Sequence, residues 1–246
     1  ARKYQEEICA LGGEIRLSSK VIRINHFSNY EEIVLDNGEA IEANKIISTA
    51  GLYSDKITKM LGIDIENKQT LPFRGEYYLL KPKYNYLVKN LIYPVPNPKL
   101  PFLGVHFTRM INGGVEAGPN AVLAMAREGY KWSDINPEEL FEAISYEGLQ
   151  KFIFKYPLIT AGEIVRSLSK EVFVKSLQKL IPDIKSEMIK SAPSGIRAQL
   201  MYPDGTLEQD FDIKIKGNLI TILNAPSPAA TSSLSIASYI FERIIS

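Results

Sequence analysis

The sequence predicts a mixed fold of the α/β (α+β) class in two parts, and three observations predict it. Two stretches, residues 45–57 near the start and 220–244 near the end, each pass from a β-branched apolar run through small residues into helical spacing. Residues 68–190 between them differ, with strand-like runs divided by prolines and then a series of helical patterns. From Ser191 strand patterns resume and lead into the second strand-loop-helix stretch, which brings the end of the chain back to its beginning. The expected division is therefore residues 1–67 with 191–246 as one domain and 68–190 as an inserted second domain.

Taken in order, Arg2 to Ala10 has Tyr4, Ile8 and Leu11 on one helical face, and Gly12-Gly13 closes it as a C-terminal cap. Ile15 and Leu17, then Val21, Ile22 and Ile24, then Ile33-Val34-Leu35 with Asp36-Asn37-Gly38 as a turn, read as a β-meander. Lys45 to Gly51 is a short buried strand ending in glycine, and Leu52 to Ile57 follows at helical spacing. On its residues alone, Gly51 reads first as a plain strand-end glycine.

In the middle part, Phe73 to Leu80, Leu91 to Tyr93 and Phe102 to Arg109 read as strands, with Pro94, Pro96, Pro98 and Pro101 confining their neighbours to edges and loops. Asn136-Pro137 opens a helix, the asparagine as N-cap and the proline in the first turn, and helical patterns continue to Leu180 before Ile181-Pro182. Ile196 to Met201, a turn at Tyr202-Pro203-Asp204-Gly205, and Phe211 to Ile215 then read as strands. Lys216-Gly217-Asn218 is a hairpin turn into the run Ile220 to Leu223. After Asn224, the small residues Ala225, Ser227, Ala229 and Ala230 let a ligand approach the backbone closely. The free N–H groups of the next helix, with Leu234, Ile236, Ile240 and Ile244 at helical spacing, can hold an anion or a carbonyl oxygen. An ordinary strand-to-helix connection fits the same residues.

Composition excludes several classes. At 246 residues, 45% hydrophobic and 23% charged, the chain can bury a sizeable core, and a formal net charge of +1 provides no basic stripe for nucleic acid. One cysteine, Cys9, makes neither an internal disulfide nor a zinc cluster, and no leader pattern opens the sequence, so a reducing, cytoplasmic setting is expected. No apolar run approaches the roughly 20 residues of a spanning helix, while peripheral membrane attachment stays compatible. Neither His-Glu-x-x-His, Gly-x-Ser-x-Gly nor Gly-Lys-Ser/Thr occurs, which disfavours metal-dependent, acyl-transfer and phosphate-loop chemistry.

Five segments in order carry a family resemblance. They are Arg74-Gly75-Glu76-Tyr77; Ile92-Tyr93-Pro94-Val95-Pro96 running on to Phe102-Leu103-Gly104-Val105-His106-Phe107-Thr108; Gly118-Pro119-Asn120-Ala121-Val122; Gly195-Ile196-Arg197-Ala198-Gln199; and Asn224 to Leu234. Together they resemble the L-2-hydroxyglutarate oxidase/dehydrogenase family within the D-amino-acid-oxidase-like flavoproteins. The resemblance implies FAD as cofactor and a small dicarboxylic 2-hydroxy acid as substrate, oxidised by hydride transfer to flavin. It places Asn224, Ala225, Pro226, Ser227, Ala229, Ala230 and Thr231 against the flavin, Ala50 and Gly51 at the close turn by the adenosine and pyrophosphate, and Val21 near the adenine.

Within that resemblance His106 is the expected base. It alternates with Phe102, Gly104 and Thr108 on the more open strand face, and an imidazole titrating near neutrality can take the hydroxyl proton. A hydrogen-bonded structural histidine is the alternative. His26, in the turn-like run Asn25 to Asn29, is expected to be solvated. Arg197, with Gln199 on the same strand face, is the first choice as carboxylate anchor and Arg74 the second, because a guanidinium pairs bidentately with a carboxylate. Surface salt bridges are the alternative for both, more so for Arg74, whose neighbour Glu76 shares its face. Tyr93 and Asn120 are candidates for further substrate hydrogen bonds, and no metal ligand is expected.

One departure qualifies the resemblance. The family opens with a βαβ unit whose Gly-x-Gly-x-x-Gly turn seats the FAD pyrophosphate, and no two glycines here stand two positions apart. The chain therefore resembles the C-terminal portion of such an enzyme, with an incomplete FAD-binding domain and an inserted antiparallel-sheet substrate domain. A shortened polypeptide, one half of a split protein and a degraded gene product all fit. The matching expectations are absent or weak FAD, inactivity alone, and a missing N-terminal half or self-association at the exposed sheet. A non-catalytic remnant or small-acid-binding module is the alternative function.

Overall fold

The computed structural model describes residues 1–95 and 104–242. The expected strand start at Phe102, the prolines 96, 98 and 101, and Ile244 lie outside the described residues.

Helix α1 (Arg2–Ala10) ends as its glycines dictate, with Gly12 at φ +84° and the Gly13 N–H donating to the Ile8 carbonyl at 2.9 Å. Strands β1 (Val21–His26), β2 (Glu31–Leu35) and β3 (Ala40–Ala43) form the expected antiparallel meander, turned at Gly38 with φ +84°. The strand expected at Ile15 and Leu17 does not form. Leu17 is exposed and no neighbouring strand offers this segment a ladder.

Strand β4 (Ile46–Ser48) runs into a 3-10 turn (Gly51–Tyr53) and helix α2 (Ser54–Met60). The stretch expected as one strand from Phe73 to Leu80 is two, β5 (Gln69–Gly75) and β6 (Tyr78–Leu80), and they belong to different sheets. The break has a packing cause. A Cβ on Gly75 would stand 2.5 Å from the Pro119 ring, and the next residue is captured by Asn120, whose Oδ1 accepts from the Glu76 N–H at 2.7 Å. Leu91 to Tyr93 makes only a bridge, Ile92 to Phe107.

Strands β7 (His106–Arg109), β8 (Val115–Gly118) and β9 (Val122–Leu123) follow, then helices α3 (Pro137–Ser145), α4 (Glu147–Lys155), α5 (Pro157–Leu168) and α6 (Lys170–Leu177). At the start of α3, Asn136 caps as expected, accepting from the N–H groups of Glu138 and Glu139 at 3.1 and 3.3 Å. The chain closes with β10 (Ile189–Ser191), β11 (Gly195–Met201), β12 (Asp212–Lys216), β13 (Leu219–Asn224) and α7 (Ser233–Ile240).

Among the described residues four sheets result: β1-β2-β3, β10-β6-β8-β7, β11-β5-β9 and β12-β13-β4. All pairings are antiparallel except β13 with β4, which aligns Leu219 with Ile46 and so joins the two ends of the sequence. Strand β5 pairs along all seven residues with β11, from Gly75 opposite Gly195 to Gln69 opposite Met201. Several apolar cores among the described residues hold this frame. Helix α6 lays Phe173, Val174 and Leu177 on the four-stranded sheet, α3 and α4 bury Ala143, Leu149 and Phe152 on β5, and Ile24, Ile46, Leu61 and Leu219 bind the meander to β4 and α2. In α7, Ile240 and Ile236 pack on Ile220 and Ile222, whereas Leu234 faces outward. No helix among the described residues is long and apolar enough to cross a membrane, and no group of three or more metal-ligating side chains occurs among them.

Candidate active site

Strand β13 is buried along its whole length, and its last residue, Asn224, is tied down by donating from Nδ2 to the Asp210 carbonyl at 2.7 Å. The loop beyond it is folded on itself, with the Ala229 N–H on the Pro226 carbonyl at 3.0 Å and the Thr231 and Ser232 N–H groups both on the Pro228 carbonyl at 3.1 Å. Its small side chains leave space on both sides. One side is a cleft of about 560 Å³ bounded by Arg197, Gln199 and Glu208 and by the loop from Asn224 to Thr231. The other is a cavity of about 380 Å³ that shares Ala198, Asn224, Ala225 and Ala229 and reaches Thr49, Gly51 and the start of α7.

Arg197 projects from β11 into the first cleft. It is exposed, and no carboxylate pairs with it among the described residues, so the surface salt bridge considered for it is not formed. Gln199 shares its face and donates to the Glu208 carbonyl at 3.1 Å.

His106 lies on β7 opposite Gly118, half-buried, with Phe107 fully inside the core and its own face open as the alternation predicts. Its ring stacks on Tyr93 with centroids 4.2 Å apart and planes 18° apart. Nδ1 is 3.3 Å from the Gly104 carbonyl, which can only accept, so Nδ1 carries the proton and Nε2 presents a lone pair. Burial lowers the His106 pKa below its ordinary value, the Gly104 bond opposes this, and the Arg197 charge adds to the lowering. The Arg197 charge is thus felt at His106, although His106 does not itself line the cleft that Arg197 enters.

The structure does not bring every candidate there. Arg74 is 1% exposed, stacked over Trp132 at 4.3 Å, with Nη2 at 3.4 Å from Glu76 and Nη1 without a hydrogen-bond partner. Burial first of all lowers its pKa. It is a core guanidinium, and the surface salt bridge considered for it is replaced by a buried contact. Asn120 spends both amide atoms on Glu76, accepting from its N–H and donating to Oε2 at 3.3 Å. Ser167 donates to the same carboxylate at 2.5 Å and accepts from Trp132 Nε1 at 3.2 Å, completing a part-buried polar network. Val21 starts β1 opposite Leu35 and packs on the meander core, away from the loop cleft. Ala50 and Gly51 turn beside the second cavity, Gly51 at φ +55° with open space where a Cβ would stand. His26 is less free than expected, since Nδ1 is 2.6 Å from Glu31 and Nε2 is 3.1 Å from the Met60 carbonyl.

A buried ion pair escaped the sequence reading. Arg127 grips Asp55 with Nη1 to Oδ1 at 2.8 Å and Nη2 to Oδ2 at 2.9 Å, and also donates to the Leu52 carbonyl inside the Gly51 turn. Partners this far apart in sequence leave no local spacing signal.

Comparison with known proteins gives the family of the chain. The family model described as FAD dependent oxidoreductase matches residues 1–243. L-2-hydroxyglutarate dehydrogenase of Indibacter alkaliphilus is 50% identical over 242 residues, covering 98% of this chain and 60% of that protein. The enzyme of the same name from Escherichia coli K12 is 40% identical over 233 residues, covering 95% and 55%. The mitochondrial one from Caenorhabditis elegans is 42% identical over 254 residues, covering 99% and 58%. This chain therefore spans somewhat more than half the length of the curated relatives it matches. Among solved structures, glycerol-3-phosphate dehydrogenase of Bacillus halodurans complexed with FAD superposes with a TM-score of 0.55 at 12% identity, over 96% of this chain and 41% of that one, a likeness of fold alone. With the family model covering residues 1–243 and curated relatives 40–50% identical over nearly all of it, the chain belongs to the FAD-dependent oxidoreductase family.

Proposed function

We propose that these residues form the substrate-facing and flavin-facing part of an enzyme that oxidises a small dicarboxylic 2-hydroxy acid, L-2-hydroxyglutarate, to its 2-oxo acid. The observation that supports this best is an unpaired Arg197 in a cleft floored by the loop from Asn224 to Thr231, with its charge felt at His106.

The residues present fit a flavin. Ala225, Ser227, Ala229 and Ala230 open the backbone to a planar ring, the first N–H groups of α7 have no acceptor within the helix, and Gly51 leaves a side-chain-sized gap beside the adjoining cavity. FAD, when bound, accepts the hydride that leaves C2. Arg197 pairs with a substrate carboxylate and fixes the distance of C2 from the loop. Nε2 of His106 takes the hydroxyl proton, so that proton and hydride leave together and C2 becomes a carbonyl. Tyr93 keeps the imidazole plane in place by stacking. In this reading residues 1–67 and 191–246 face the cofactor, and residues 68–190 supply the side of the site that carries His106.

In the FAD-loaded enzyme, Arg197→Met should raise KM and lower kcat/KM by on the order of a hundredfold, the loss of a charge-assisted bidentate contact. His106→Ala should lower kcat by roughly 10²- to 10⁴-fold with KM little changed, the usual contribution of a positioned base. If both variants stay within a factor of two of the parent, neither residue is in the site and the reading is wrong.

A further inference from the structure

Tyr77 lies in the one short segment that separates β5 from β6, and three contacts fix where its ring stands. On the four-stranded sheet the register pairs Tyr78 with Ala117 and His106 with Gly118, so Tyr77, Gly118 and His106 follow one another across the strands on the open face. A Cβ on Gly118 would stand 3.1 Å from Tyr77 Cδ1, which shows the ring lying along that face toward His106's partner. A Cβ on Gly195 would stand 3.7 Å from Tyr77 Cε2. Gly195, Arg197 and Gln199 share one face of β11, and successive positions on one face are about 7 Å apart. The phenol edge therefore reaches the strand face from which Arg197 projects, one position away, while the other edge of the ring lies toward His106.

The ring is also held. The Ala192 N–H donates to the Tyr77 carbonyl at 2.9 Å, and Glu76 immediately before it is fixed by Asn120, Ser167 and Arg74. By contrast the hydroxyl has no hydrogen-bond partner among the described residues, although the residue is half-buried and borders an open cleft of about 490 Å³ with Tyr130 and Ser194. A rigid phenol with an unused hydroxyl, its ring against Gly118 opposite His106 and against Gly195 on the strand face that carries Arg197, is a donor waiting for an acceptor.

We propose that Tyr77 is a substrate-binding residue whose hydroxyl donates to the substrate carboxylate that Arg197 pairs with. The inference rests on the function proposed above. A phenol and a guanidinium converging on one carboxylate share its charge, the phenol adding a second donor to the contact that Arg197 makes.

The test compares Tyr77→Phe, Arg197→Met and the double variant in the FAD-loaded enzyme. KM and kcat for L-2-hydroxyglutarate are measured, and the Kd of 2-oxoglutarate is read by calorimetry. Tyr77→Phe keeps the ring against Gly118 and Gly195 and removes only the hydroxyl, so thermal stability should not change. The expected result is a KM and a Kd raised roughly tenfold or more, the worth of a hydrogen bond to a charged group, with kcat within about twofold. Because both donors act on one group, the double variant should lose less than the product of the single losses. If Arg197→Met weakens both constants and Tyr77→Phe leaves them unchanged, Tyr77 is only a wall and the function proposed above stands. If neither variant changes either constant, the carboxylate site itself is misplaced and both proposals fall together.

Discussion

His106 concentrates the chemistry of the site in one titration. Its pKa is lowered by burial and by the Arg197 charge, so the neutral, proton-accepting form persists below pH 6.5, the ordinary histidine value. The acid limb of kcat/KM for the FAD-loaded enzyme should then fall below that value. Arg197→Met removes one of the two lowering causes and should move the limb upward, measured as a pH profile of whatever activity the variant keeps. A limb that ignores Arg197 would disconnect the pair. The same shift has a stability sign. The folded state binds the proton less readily than the unfolded chain, so stability is complete above pH 6.5 and declines as pH falls from there through the folded value. His106→Asn should flatten that slope in urea titrations. The histidine and its open strand face are legible in the alternation of residues 104–108. Its tautomer is not, because the proton position depends on a carbonyl that only the folded backbone aims at Nδ1.

At the scale of elements, the Gly51 turn depends on a side chain from far along the sequence. Asp55 is fully buried, accepts both guanidinium edges of Arg127 and the Thr70 N–H at 3.3 Å, and sits in the first turn of α2. Removing one partner leaves an uncompensated buried charge, so Asp55→Asn or Arg127→Met should each cost about 3–5 kcal/mol in denaturant unfolding. The combined Asp55→Asn, Arg127→Met variant should lose less than the sum of the two single losses, and a strictly additive loss would contradict the pairing. This contrast shows what the sequence exposes. The two strand-loop-helix stretches, the glycine cap after α1, the Asn136 cap and the hairpin turns are legible, since each rests on residues within a few positions of one another. The division of residues 73–80 between two sheets, the burial of Arg74 and the Arg127 clip are not, since each is decided by a partner dozens of residues away. The resemblance supplied Arg74 as a candidate anchor on chemistry alone, and the fold spends that guanidinium on Trp132 and Glu76 instead.

For the whole molecule, the features that would grip FAD are unevenly present. The loop from Asn224 and the Gly51 turn border cavities, but these 246 residues contain no Gly-x-Gly-x-x-Gly turn to seat a pyrophosphate. A polypeptide of these residues alone should therefore bind FAD weakly and show no turnover of L-2-hydroxyglutarate, checked by flavin titration and an activity assay on one sample. Stoichiometric FAD with turnover would show that the residues suffice. The parallel pairing of β4 with β13 also sets an order of events. Ile46 to Ser48 stand far ahead in the sequence of their ladder partners, Leu219 to Thr221. Contacts this remote in sequence form late and slowly, because the whole intervening chain must first be gathered. The cleft loop and the turn that faces it across the sheet are therefore the last parts to come together. A cofactor bound there would be captured by a chain already collapsed around its other cores, and its arrival would lock in the slowest step of folding.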